Sequence, residues 1–122
     1  MDDRQLHHDG SDALATVERF DKAFGARDVD AVMAAMTPDC VFEDTSPPDG
    51  GRHVGRDAVR RAWEALFAAS PDATFTTEEI FAVGGRVVAR WRYDFAGGHV
   101  RGVDLFTVRD GLVAEKLSYV KG

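Results

Sequence analysis

The sequence predicts an α+β fold: about three N-terminal helices packed on the concave face of a cone-shaped, strongly curved antiparallel sheet. Three observations carry this. Apolar residues recur at helical spacing in the first half, at Leu14, Val17, Phe20 and Phe24, and again at Val59, Ala62, Trp63, Leu66 and Phe67. From Thr74 onward the pattern changes to alternation, broken by Gly84-Gly85, Gly97-Gly98 and Asp110-Gly111, all turn signals. Helices gathered early and strands late place the helices on one face of a sheet instead of interleaving the two.

The elements follow in order. Residues 1–10 read as a flexible tail, with His7 and His8 as tail residues and not metal ligands, and residues 11–122 as a single domain. Ser11 or Asp12 can cap a first helix that ends at Gly25. A second helix fits Val29 to Met36, with Pro38 as its stop. An opening strand runs from Cys40 to Asp44, and "TSPPDGGRHVG" is loop by composition. Asp57 caps a third helix that closes at Ser70-Pro71-Asp72. Four strands follow, Thr74 to Val83, Arg86 to Phe95, Val100 to Val108 and Leu112 to Val120, joined by tight turns as an antiparallel meander. Sheet and helices leave an apolar mouth between them, a place where small molecules bind.

Composition narrows the function classes. The 122 residues are 44% hydrophobic and 30% charged, ordinary globular material, and the net charge is −6. That balance argues against nucleic acid or an anionic membrane as partner. No apolar run approaches the roughly 20 residues that span a bilayer. "MDDRQLHHDG" has no apolar signal core, so a cytoplasmic protein is expected. Cys40 is the single cysteine, read as a small buried apolar residue; no disulfide or cysteine-based zinc site follows from it. The histidines are scattered, and "GGRHVG" lacks the phosphate-loop lysine, so no metal, nucleotide or other cofactor is expected.

Several residues stand out within this frame. On the strand "HVRGVDLFTVRDG", alternation puts Asp104 on one face with Val100, Gly102, Phe106 and Val108. A charged carboxylate among apolar neighbours is costly. It is therefore either paired with a cation, with Arg90 or Arg92 as candidates, or a neutral acid that donates a hydrogen bond in a pocket. On the preceding strand, Val87, Ala89, Trp91, Tyr93 and Phe95 share a face, and Trp91 and Tyr93 read either as core or as ligand contacts. In "CVFEDTSPP", Asp44 shares a face with Phe42, while Glu43 points outward. Asp44 is then either a carboxylate at an apolar rim, its pKa raised to suit a general base, or the start of an Asx turn. His53 either shuttles a proton over the mouth or is a solvated loop residue.

Three stretches resemble a known family: "VERFDKAFGARDVDAVMAAMTPDCVFED", "HVGRDAVRRAWEALF" and "RGVDLFTVRDGLVAEKLSYV". From about Asp12 to Gly122 the chain resembles the nuclear-transport-factor-2-like superfamily, in particular its SnoaL-like and ketosteroid-isomerase-like branch. The resemblance implies a cofactor-free isomerase or cyclase acting on a hydrophobic carbonyl compound. Asp44, in "FEDT", matches the family's catalytic base, with Thr45 where a proline is usual. Asp104, in "GVDLF", matches the protonated aspartate that stabilises the oxyanion. Phe20 stands where the family has its oxyanion tyrosine, and Trp63 where it has a further tyrosine. The implied pocket walls are Phe20, Phe42, Trp63, Trp91, Tyr93 and Phe106. A homodimer is also implied, with the face that carries Arg90, Arg92 and Leu105 as one candidate. The alternative is a non-catalytic binding or assembly module of the same fold, because the fold hosts both.

Overall fold

The computed structural model describes residues 10–122, so His7 and His8 lie outside the described residues. Helix α1 (Ser11–Gly25) starts after Gly10, whose φ of 86° only glycine adopts at no cost, so Ser11 and Asp12 lie in the first turn and not at the cap. Its stripe of Ala13, Val17, Phe20 and Phe24 is buried. Helix α2 (Val29–Ala34) is capped by the Asp28 side chain, which accepts from the Ala31 N–H at 3.1 Å.

Here the predicted boundaries give way. Helix α2 stops before Met36, which opens strand β1 (Met36–Glu43), so Pro38 lies inside a strand and does not stop a helix. A proline donates nothing to a ladder. Strand β1 tolerates it because its register against β6 shifts between Met36 and Val41, the interval that holds Pro38. The segment read as loop contains a short strand, β2 (Arg52–Val54), antiparallel to β1. Helix α3 (Arg56–Ala69) begins after Gly55, so Asp57 is a first-turn residue and not the cap.

The meander follows as β3 (Thr74–Val83), β4 (Arg86–Phe95), β5 (Gly98–Arg109) and β6 (Leu112–Val120). Strand β5 is longer at both ends than predicted. The six strands lie in the order β2-β1-β6-β5-β4-β3 in one curved, open sheet. All neighbours are antiparallel except β1 and β6, which run parallel. Among the described residues no helix is long and apolar enough to cross a membrane.

The core lies between the helices and the concave face. Phe20, Trp63 and Phe106 are fully buried and meet edge to face, at 6.0 Å for Phe20–Trp63 and 5.6 Å for Phe20–Phe106. On the convex face Arg90 pairs with Glu79 at 3.2 Å, Arg92 with Asp94 at 3.0 Å and Arg101 with Glu78 at 2.9 Å. Neither Arg90 nor Arg92 reaches Asp104, because alternation sends them to the opposite side of the sheet.

Sheet curvature places one glycine under strict demand. A Cβ on Gly102 would lie 2.3 Å from both the Trp91 ring and the Tyr119 carbonyl oxygen. Because one of these is backbone, Gly102→Ala is expected to destabilise the chain by about 1–3 kcal/mol. Urea unfolding checks this, and an unchanged midpoint would show that the strands can part there freely.

Candidate functional site

A cavity of about 460 Å³ opens between the sheet, α1 and α3. Its wall is largely aromatic, with Phe24, Phe42, Phe75, Trp91 and Tyr93. Of the residues read as pocket walls, Phe42, Trp91 and Tyr93 line it. Phe20, Trp63 and Phe106 do not; all three are fully buried in the core. The Trp91 Nε1–H is buried and has no hydrogen-bond partner. Asp44 and Asp104 both line the cavity, which brings together two carboxylates separated by sixty residues of chain.

Two polar groups face this space. The outer one is built at the end of β1. Asp44 Oδ1 accepts from the Gly51 N–H at 2.6 Å and from the Ser46 N–H at 2.9 Å, while Oδ2 lies 3.0 Å from His53 Nε2. The Asx turn and the rim carboxylate are therefore the same structure, not alternatives. Gly51 makes the close approach possible, since a Cβ there would sit 2.8 Å from Oδ2. His53 is held on β2 opposite Phe42 in the ladder, and its ring stacks on Phe42 at 5.7 Å. Glu43 points away and pairs with Arg52 at 2.7 Å.

The expected rise in the Asp44 pKa is reversed. Burial alone would raise it, but the hydrogen bonds from His53, Gly51 and Ser46 together outweigh burial and hold the carboxyl well below the usual range. An ionised carboxylate only accepts, so Nε2 of His53 carries the proton that points at Asp44. In the neutral ring, Nδ1 is then the basic nitrogen. Sequence reasoning left His53 between a shuttle and a solvated loop residue; its place on β2, and so at the cavity, depends on a pairing that composition hid.

The inner group is more deeply buried, with Asp104 and Lys116 at 5% and 4% exposure. Lys116 Nζ lies 3.4 Å from Asp104 Oδ2 and donates to Ser118 Oγ at 3.1 Å. The Ser118 hydroxyl donates to Asp104 Oδ1 at 2.7 Å. The ammonium also sits against the rings of Phe42, Phe24 and Trp63 at 4.9, 5.2 and 5.4 Å. The cation beside Asp104 is thus Lys116, which sequence reasoning missed. Asp21 of α1 was missed too, though a signal existed: it fills the i+4 slot of the buried stripe Val17, Phe20, Phe24. Among the described residues no His, Cys, Asp and Glu cluster of three or more could hold a metal ion.

An open α+β cone with polar groups at two depths of one apolar cavity defines a protein of the nuclear-transport-factor-2-like class. The chain belongs to the SnoaL-like domain family, whose profile matches residues 17–116. It is similar to a solved NTF2-like protein of unknown function from Mesorhizobium loti, with 41% identity over 93% of each chain and a TM-score of 0.83. A candidate polyketide cyclase from Sinorhizobium meliloti is 28% identical over 85% of this chain and 93% of its own, with a TM-score of 0.76. A candidate ketosteroid isomerase from Kribbella flavida shares the fold at 20% identity, over 91% of this chain and 78% of its own, with a TM-score of 0.79. A search of curated proteins returned no match.

Proposed function

We propose that the chain is a cofactor-free acid–base enzyme of the isomerase or cyclase type, acting on a hydrophobic carbonyl compound. The observation that carries this reading is the His53–Asp44 pair at the rim of an aromatic cavity whose inner end holds Lys116 and Asp104. Asp44 fixes the tautomer of His53, and His53 Nδ1 takes the proton next to the substrate carbonyl. The C–H electron pair moves onto the carbonyl oxygen, and the enolate is met by the Lys116 ammonium. The proton then returns from His53 to carbon, at a new position in an isomerisation. Alternatively, the enolate attacks a second carbonyl of the same substrate in a cyclisation, and the new alkoxide oxygen takes the proton back from His53. Asp104 and Ser118 hold Lys116 in place, so the lysine supplies the donor that the resemblance assigns to a protonated Asp104.

Deuterium exchange tests the reading. A panel of hydrophobic ketones and enones in D₂O should gain deuterium next to the carbonyl when the protein is present, as read by proton NMR. His53→Gln should slow that exchange on the order of 10²–10⁴-fold. Compounds that quench Trp91 fluorescence yet never exchange would instead make the chain a binding module.

A further inference from the structure

The inner group has a third member that the proposed chemistry does not use. Asp21 projects from α1 to a second space of about 50 Å³, which it lines with Asp104, Lys116 and Thr77. That space shares Phe24, Phe75, Trp91, Asp104 and Lys116 with the main cavity, so the Asp104–Lys116 pair stands between the two. Its volume is enough for ordered water, which needs roughly 10–15 Å³.

Charge counting makes Asp21 unusual. Lys116 is one ammonium sharing this space with two carboxylates, Asp104 and Asp21; Lys116 and Asp104 are buried and Asp21 is half-buried. With both acids ionised, one negative charge is left uncompensated in a poorly solvated place. The other groups that face Asp21 do not cancel it. Glu18, one turn earlier on α1, adds a further negative charge; β3 offers the Thr77 hydroxyl, which lines the same space; β4 presents Ala89 and Trp91.

We propose that Asp21 stores a proton beside the Asp104–Lys116 pair and so switches the inner end of the cavity between neutral and singly negative. Desolvation is the largest cause, followed by the opposing pull of Lys116 and then the push from Asp104 and Glu18, and together they move the carboxyl up to about 7. Asp21 is a positioning residue: it acts on a ligand through Lys116, whose pull on an anion weakens when Asp21 ionises. The inference rests on the proposed function only in taking the main cavity as the ligand site.

The test uses the full chain with ¹³C-labelled aspartate carboxyls, titrated by NMR from about pH 4 to about pH 9. One carboxyl should titrate near neutrality, be absent in Asp21→Asn, and move to lower pH in Asp104→Asn, where the neighbouring like charge is gone. The proposal is overturned if every aspartate titrates in the ordinary acidic range, or if the neutral titration survives Asp21→Asn. Should Asp21→Asn fail to fold, an unmoved midpoint in Asp104→Asn overturns it equally. Binding supplies a second readout that a merely structural role would not move. Affinity for 2-naphthoate should weaken with rising pH by up to about tenfold per unit above neutrality, the limit for one obligatory proton. Affinity for uncharged 2-naphthylmethanol should stay level. In Asp21→Asn the naphthoate slope should flatten, and equal slopes in the two proteins overturn the proposal. If neither naphthalene binds, the ligand-site reading falls, and the carboxyl titration still decides the role of Asp21.

Discussion

Lys116→Met is expected to lower the unfolding free energy at neutral pH by about 3–5 kcal/mol, the largest stability effect of any single change at the site. The lysine is the ion-pair partner of a carboxylate that is itself almost fully enclosed, with side-chain exposures of 6% and 7%. Methionine keeps much of the volume and the contacts with Phe24, Phe42 and Trp63, so the loss reports on charge and not on packing. Asp104 would be left with only Ser118 as partner. The double variant Lys116→Met with Asp104→Leu removes both charges and should recover most of the loss, because a buried pair is worth little more than the apolar groups that could replace it. Urea unfolding of the three proteins makes the comparison. If the single variant costs under about 1 kcal/mol, water reaches the pair and the site is not closed at its inner end.

Asp44→Asn is expected to slow the exchange as much as the loss of His53 does, by a factor on the order of 10²–10⁴, with the fold retained. The amide oxygen can still accept from Gly51 and Ser46, so the turn survives. The amide nitrogen then faces His53 as a donor and forces the ring into the other tautomer, with Nδ1 protonated and no longer basic. The same substitution should alter acid stability in a defined direction. Against burial, the bonds from His53, Gly51 and Ser46 hold the folded carboxyl below its ordinary value of 3.8. A depressed folded pKa contributes stability that is complete above the unfolded value and is lost as pH falls through the folded one. Asp44→Asn should therefore remove part of the acid-side slope. Asp21 has the opposite sign. Its folded pKa is raised, so its contribution is fully present below 3.8 and is lost as pH rises through about 7. Stability measured from acid to neutral pH separates the two carboxylates.

The legibility of the site in the sequence depended on whether local pattern or long-range register placed each residue. Asp104 was legible because strict alternation puts it on the same face as Gly102 and Phe106, and all three are buried. Asp44 was legible through Phe42, two residues earlier and near the end of β1. Lys116 was not, and the reason is geometric. Its register against β5 shifts between Thr107 and Val108, so Val113 and Lys116 both point inward although they are three positions apart. Alternation counted from Val113 would send Lys116 outward. His53 was hidden in a different way, in a three-residue strand with Gly-rich and Pro-rich flanks that composition marks as loop.

Periodicity within single segments is enough for the α+β class, the three helices found among the described residues, the four-strand meander and the two faces of β4 and β5. Tertiary structure decided which polar groups meet. The parallel joining of β1 to β6, the bulge in the β5–β6 ladder and the packing of α1 onto the sheet bring Asp21, Asp104, Lys116 and Ser118 together at the inner end of the cavity. They also turned Asp44 from a carboxylate raised by burial into one held ionised by three hydrogen bonds. A pKa is set by the groups that surround a charge in space, and on this chain those groups come from segments that local pattern does not connect.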